Sequence, residues 1–145
     1  MLRRRGTAVW RGTGLEGSGT ISTFSGALSE QPYSTALRFQ SEDGRAGTNP
    51  EELLAAAHAA CFNMALSFQL TGAGHPPDEL RTQAIVTMEN EGVHWHITAV
   101  RLELRGRVPG VTLERFRELA TAAKATCPVS AVLRAEITLD AQLDP

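Results

Sequence analysis

The sequence predicts an α+β fold with the element order βββ-α-ββ-α-β and mostly antiparallel sheets. One observation is a charge-poor segment with helical periodicity from Leu53 to Leu70. A second is the alternation of apolar and charged residues from Val100 to Arg105, typical of a sheet with one face in water. The length of 145 residues suits a single domain, residues 1–145.

Short strands are predicted near the amino terminus. Thr7–Trp10 and Thr20–Phe24 have strand character and flank a glycine-rich turn. We expect a third strand over Ser34–Phe39, after the turn signal at residues 31–33. A loop over Gly44–Thr48 then leads to the first helix.

The first helix carries start and stop signals. Asn49 is a suitable N-cap, Pro50 suits the first helical position, and Glu51 places negative charge at the positive end of the helix dipole. Because the segment is so poor in charge, we expect the helix to be buried on most sides and the working unit to be two chains. It should end at Gly72 or Gly74.

The remaining elements follow from periodicity and turn signals. Two strands are predicted over Arg81–Met88 and His94–Val108, joined by a turn. A second helix should run over Leu113–Ala125 with Thr112 as its cap. The last strand is predicted over Arg134–Leu143.

Composition excludes several classes of function. A net charge of −2 provides no global attraction for nucleic acid or an anionic membrane, and no wholly apolar run reaches the length of a membrane span. Two cysteines are too few for a disulfide framework or a four-thiolate zinc site. His94 and His96 share one side of a strand but lack a third ligand nearby, so no metal is predicted. We expect a soluble cytoplasmic protein.

The two cysteines allow two interpretations. Cys61 lies within the first helix, and Cys127 ends the second helix, where Pro128 forces an exit from helical geometry. Both can be small buried apolar residues, or they can be a reactive thiol and a resolving thiol that only the fold brings together. His58, one helical turn before Cys61, is either a thiol base or an ordinary helix histidine.

Two segments give the sequence a recognisable pattern. Residues 48–62 (TNPEELLAAAHAACF) and 123–130 (AKATCPVS) resemble the OsmC/Ohr family of organic hydroperoxide reductases, most closely its OsmC branch. The similarity extends to residues 26–39 and 135–140. The resemblance implies an OsmC-like fold in an intertwined homodimer, with sheets wrapped around long central helices.

The resemblance also implies a function and its residues. The protein would be a thiol peroxidase without metal or cofactor, with Cys61 as the peroxidatic and Cys127 as the resolving cysteine. Arg38 would lower the pKa of Cys61, and Glu51 would hold the guanidinium by a bidentate pair. A dithiol, with lipoyl groups among the candidates, would reduce the resulting Cys61–Cys127 disulfide. The alternative is a non-catalytic thiol sensor or a stress protein that binds an apolar ligand.

Two further expectations concern the surroundings of Cys61. Apolar neighbours of Cys61 on its helix, among them Phe62 and Phe68, favour organic hydroperoxides over hydrogen peroxide. Glu51 and Cys61 are ten residues apart, which on one helix is about 15 Å of rise. Either the helix begins after Glu51, or Glu51 serves Cys61 of the partner subunit.

Overall fold

The computed structural model describes residues 1–41 and 44–145. They form two compact units, residues 1–53 and 54–145, and the single-domain expectation stays a prediction. The elements are β1 (Gly6–Arg11), β2 (Ser18–Thr23), β3 (Gln31–Ser34), α1 (Thr35–Phe39), α2 (Pro50–Gly72), β4 (Glu79–Asn90), β5 (Trp95–Arg107), α3 (Leu113–Thr126), α4 (Pro128–Val132) and β6 (Glu136–Leu143).

The first unit contains an antiparallel sheet with the strand order β1-β2-β3. Gly19 pairs with Trp10 on one side and with Tyr33 on the other. A Cβ at Gly19 would lie only 2.8 Å from the Tyr33 ring. The absent side chain leaves room for the Val9 carbonyl and for the Tyr33 ring, whose centroid lies 5.3 Å from that of the Trp10 ring.

The predicted third strand over Ser34–Phe39 is wrong in its bounds. The strand instead covers Gln31–Ser34, which includes the predicted turn, and the next five residues form the short helix α1. The Ser34 hydroxyl accepts a hydrogen bond from the Leu37 N–H at 3.0 Å and so caps this helix. Because Ala36, Leu37 and Arg38 all have high helix propensity, the cap is enough to start a helical turn.

The long helix α2 begins where its start signals predict. The Asn49 side-chain oxygen accepts a hydrogen bond from the Glu52 N–H at 2.8 Å, and Pro50 is the first helical residue. The helix ends at Gly72, and Gly74 adopts a φ of +83° in the turn that follows.

In the single chain, α2 is not buried on most sides, contrary to the expectation from its sequence. Its buried residues form one stripe at four-residue spacing: His58, Phe62, Leu66 and Leu70. Another face is open, with Met64 64% and Phe68 76% exposed. Packing within one chain therefore covers one face of the helix.

By length and composition alone, α2 is also a candidate membrane span, although the sequence contains no wholly apolar run of that length. One such helix is weak evidence for a membrane protein, because the core helix of a soluble protein can have the same length and composition. The side chain of Asn63 donates to the Leu80 carbonyl at 3.3 Å and accepts from the Thr82 hydroxyl at 2.5 Å. These bonds belong to a helix packed on a protein sheet.

The second unit contains a sheet with the order β4-β5-β6. β4 pairs antiparallel with β5, whereas β5 pairs parallel with β6. The predicted alternation in β5 is confirmed, since Val100, Leu102 and Leu104 are buried between exposed or partly exposed neighbours. Phe116 of α3 packs on Gly106, where an added Cβ would lie 2.5 Å from its ring.

The second predicted helix is confirmed as α3. The Thr112 hydroxyl caps it by accepting from the Arg115 N–H at 3.2 Å. A further short helix, α4, follows Cys127 and was not predicted, and β6 begins at Glu136 rather than Arg134. The α+β class with mostly antiparallel pairing is confirmed, with α1 and α4 added to the predicted order.

Candidate functional site: a thiol pair and an arginine–glutamate pair

The two cysteine thiols are in contact. Cys61 Sγ lies 3.1 Å from Cys127 Sγ, although the residues are 66 positions apart in sequence. Both are reduced, Cys127 is fully buried, and Cys61 is partly buried. A disulfide needs about 2.05 Å between the sulfurs, so a movement of about 1 Å would close the bond.

Backbone geometry fixes the position of Cys127. The residue is both the C-cap of α3 and the N-cap of α4, in an extended conformation (φ −65°, ψ 119°). Its N–H donates to the Ala123 carbonyl at 2.9 Å, and its carbonyl accepts from the Ala131 N–H at 3.0 Å. Pro128 thus creates the defined exit that the sequence predicts, and it aims the sulfur at α2.

The surroundings of the two thiols shift their pKa values in opposite directions. Burial, followed by the hydrogen bond with Cys127, raises the pKa of Cys61 above its ordinary value. Burial also acts to raise the pKa of Cys127, but hydrogen bonds from the Ser130 N–H, Cys61 and the Ser130 hydroxyl outweigh it and lower that pKa. Within residues 54–145 the negative charge therefore favours Cys127, the reverse of the expectation for Cys61.

Arg38 and Glu51 form a bidentate ion pair. Arg38 Nε donates to Glu51 Oε2 at 3.0 Å, and Nη2 donates to Oε1 at 2.5 Å. The guanidinium carbon also lies 4.8 Å from the centroid of the Phe39 ring. α1 and the first turn of α2 supply the two residues, so the unpredicted helix α1 presents the arginine.

The four residues implied by the family resemblance thus form two pairs. Arg38 and Glu51 belong to the unit of residues 1–53, whereas Cys61 and Cys127 belong to the unit of residues 54–145. The possibility that α2 begins after Glu51 is wrong, because the helix begins at Pro50. Their catalytic roles stay predictions.

His58 is linked to the thiol pair through a residue that sequence reasoning missed. Its Nε2 lies 2.8 Å from the Ser130 Oγ, and the side chain is fully buried. Burial lowers the pKa of His58, which favours the neutral ring. The available signal was the position of Ser130, three residues after the N-cap Cys127, where its N–H points back to the capping residue.

His94, just before β5, and His96, on β5, form a histidine pair that gathers no further ligand within the described part of the chain. The rings of His94 and His96 lie 6.4 Å apart, edge to face. Residues 1–41 and 44–145 contain no group of three His, Cys, Asp or Glu side chains able to hold a metal ion.

Comparisons of the sequence with known proteins all identify relatives of one family. Residues 41–142 match the family described as OsmC-like protein. Peroxiredoxin OsmC of Escherichia coli is 47% identical over 142 residues, which are 98% of this chain and 97% of that protein. The organic hydroperoxide resistance protein OhrB of Bacillus subtilis is 29% identical over 102 residues, 70% of this chain and 74% of that protein.

Solved structures agree with the fold. The crystal structure of OhrB superposes with a TM-score of 0.70 and 25% sequence identity. The match covers 97% of this chain and 98% of the OhrB chain. An OsmC-like protein of Vibrio cholerae matches 97% and 99% with a TM-score of 0.78 at 15% identity. The named relatives support a peroxidase-type enzyme. The chain belongs to the OsmC/Ohr family, on its OsmC branch.

Proposed function

We propose that this protein is a thiol-dependent peroxidase that reduces organic hydroperoxides to alcohols. The observation that carries the proposal is the 3.1 Å contact between Cys61 Sγ and Cys127 Sγ. Two reduced thiols at this distance from well-separated parts of the chain suit a reversible disulfide better than two unrelated packing residues.

The chemistry balances with these two residues. The Cys61 thiolate attacks the nearer peroxide oxygen, the O–O bond breaks, and the alkoxide takes a proton to leave as an alcohol. Cys61 is then a sulfenic acid. The Cys127 sulfur attacks the Cys61 sulfur, an S–S bond forms, the S–O bond breaks, and hydroxide leaves as water. An external dithiol reduces the disulfide by exchange.

Cys61 needs a cation to carry out the first step. Burial and Cys127 raise its pKa, so its own surroundings leave too little thiolate near neutral pH. A guanidinium within about 4–6 Å lowers a thiol pKa and stabilises charge on the leaving oxygen. Arg38, held by Glu51 through two hydrogen bonds, suits this role.

We assign the arginine pair of one subunit to Cys61 of its partner. Glu51 and Cys61 lie on the same continuous helix, which separates them by about 15 Å of rise and about 80° of rotation. That geometry favours pairing across a dimer. The face of α2 that carries Cys61 is apolar and exposed in the single chain, at Ala57, Met64 and Phe68, and a second copy would cover it.

Mixed dimers test the assignment. We would co-express differently tagged Cys61→Ser and Glu51→Ala chains and purify the dimer that carries both tags. Pairing across subunits leaves one site with both residues intact, so the mixed dimer should have about half the wild-type activity. Pairing within a chain leaves no intact site, and an inactive mixed dimer would overturn the assignment.

Peroxide and reductant classes follow from the same surroundings. Apolar side chains of α2 near Cys61 favour organic hydroperoxides over hydrogen peroxide. The reductant is a dithiol, with lipoyl groups as one candidate, because intramolecular disulfides are reduced efficiently by a second dithiol. A cytoplasmic location fits a chain with only two cysteines.

Steady-state reduction of cumene hydroperoxide with dihydrolipoamide tests the activity, with hydrogen peroxide as the comparison substrate. Wild type should turn over and prefer cumene hydroperoxide, and Cys61→Ser should be inactive. Cys127→Ser should oxidise once and then accumulate sulfinic acid. Activity that survives in Cys61→Ser would rule out the mechanism. Disulfide formation without turnover would instead indicate a thiol sensor.

A further inference from the structure

His58 is a fully buried polar residue that the peroxidase mechanism above does not use. It lies on α2 one turn before Cys61. Its Nε2 is 2.8 Å from the Ser130 Oγ, whereas its Nδ1 has no hydrogen-bond partner among the described residues. A buried polar group that is only half satisfied destabilises the fold, so its presence calls for a reason.

Burial determines which nitrogen carries the proton. The lowered pKa of His58 favours the neutral ring, which has one N–H. A buried N–H without an acceptor is rarer in proteins than a buried acceptor without a donor. The proton is therefore assigned to Nε2, which donates to the Ser130 Oγ and leaves Nδ1 as an unpaired acceptor.

This assignment determines where the Ser130 hydroxyl can donate its hydrogen bond. With its oxygen accepting from His58, the hydroxyl hydrogen is available to the Cys127 sulfur, because Ser130 lies in the first turn of α4, three residues after the N-cap Cys127. The result is a chain of donors from His58 Nε2–H through Ser130 Oγ–H to Cys127 Sγ. Hydrogen bonds that polarise one another in this way strengthen in a dry interior.

Resting on the proposed peroxidase function, we infer that Ser130 holds the Cys127 sulfur as a thiolate for attack on the Cys61 sulfenic acid, and that His58 is the positioning residue that orients Ser130. The thiolate supplies the electron pair of the new S–S bond, and hydroxide leaves Cys61 and takes a proton to become water. Rapid formation of the disulfide protects Cys61, because a sulfenic acid that persists is oxidised by a second hydroperoxide to sulfinic acid.

The first test needs no hydroperoxide, so it is independent of the peroxidase proposal. In a Cys61→Ser background, thiolate absorbance is titrated against pH, and the Cys61→Ser/Cys127→Ser protein is subtracted to remove the other groups. Ser130→Ala should raise the Cys127 midpoint by about one pH unit, as expected for a lost hydrogen bond to a charge. His58→Leu should raise it too, and His58→Gln should restore it, because the amide can donate to Ser130.

Thr82→Val provides a matched control. The Thr82 hydroxyl also donates to a polar side chain of α2, the Asn63 Oδ1 at 2.5 Å, but the bond does not lead to a thiol. A general loosening of α2 should therefore affect Thr82→Val and Ser130→Ala alike. Equal midpoints for these two variants would overturn the inference.

A second test follows the reaction in proteins that retain both cysteines. With excess cumene hydroperoxide, mass spectrometry gives the ratio of Cys61 sulfinic acid to disulfide. Ser130→Ala should raise this ratio about tenfold, whereas Thr82→Val should match wild type. If Ser130→Ala does not fold by circular dichroism, His58→Leu and His58→Gln provide the same comparison. An unchanged ratio and midpoint would refute the link, whereas a shifted midpoint in a protein without turnover would refute only the peroxidase proposal.

Discussion

Arg38 and Glu51 meet through two parallel hydrogen bonds, Nε to Oε2 at 3.0 Å and Nη2 to Oε1 at 2.5 Å. This side-on pair fixes the plane of the guanidinium as well as its position. A lysine can supply the charge at this position but not the fork. The pair therefore holds one cationic group at a constant orientation, which is what the role proposed for Arg38 requires.

Breaking this pair should reduce peroxidase activity while the protein stays folded. We expect Arg38→Lys and Glu51→Gln each to reduce kcat/KM for cumene hydroperoxide by about tenfold to a hundredfold, because the pKa of Cys61 rises when the oriented guanidinium is lost. Arg81→Lys is the control, since it alters an exposed ion pair with Glu79. Equal losses in all three variants would contradict a specific role.

Acid should destabilise the fold through His58. The folded protein binds a proton at this residue less readily than the unfolded chain, whose histidine has a pKa of 6.5. Stability should therefore fall as the pH drops below about 6.5 and level off below the folded pKa. Urea midpoints at pH 7.5 and pH 5 would measure the loss. His58→Gln should reduce the loss, whereas the exposed control His94→Gln should retain it.

The exposed face of α2 should determine the association state. Phe68→Glu places a charge on this face and should convert a dimer to monomers in sedimentation velocity, because burying an unpaired charge is costly. Val132→Glu is a matched control, since Phe68 and Val132 are both 76% exposed but Val132 lies on α4. Dimers that persist in Phe68→Glu would argue against α2 as the interface.

A side chain at position 106 should destabilise the fold. A Cβ there would lie 2.5 Å from Phe116 and 3.3 Å from Leu80, so Gly106→Ala should lower the free energy of unfolding by about 1–3 kcal/mol. Gly72→Ala is the control, because a Cβ at this last residue of α2 meets none of the described residues within 4 Å. Chemical denaturation of both variants measures the difference, and equal stabilities would show that β5 shifts to make room.

Sequence reasoning worked best where local signals agree with one another. Asn49 and Pro50 mark the start of α2 to the residue, and Thr112 does the same for α3. The alternation through Leu102 identifies the buried face of β5. Caps and periodicity act over a few residues, so a sequence displays them directly.

Short elements were harder to predict. Thr35–Phe39 and Pro128–Val132 are five residues each, too short for a periodic pattern. Ser34 is a suitable helix cap, but the sequence interpretation placed a turn at residues 31–33 and therefore began a strand at Ser34. The parallel pairing of β5 with β6 depends on how α3 returns the chain across the sheet, which no local pattern contains.

The sequence alone determined the fold class, the main helices and the family, because caps, hydrophobic periodicity and two cysteine motifs are local properties. Tertiary structure decided that Cys61 and Cys127 touch, that Ser130 joins His58 to Cys127, and that the pKa values of the thiols shift in opposite directions. These are distances between residues far apart in the chain. Only the packing of α2 against the junction of α3 and α4 brings them within hydrogen-bond range.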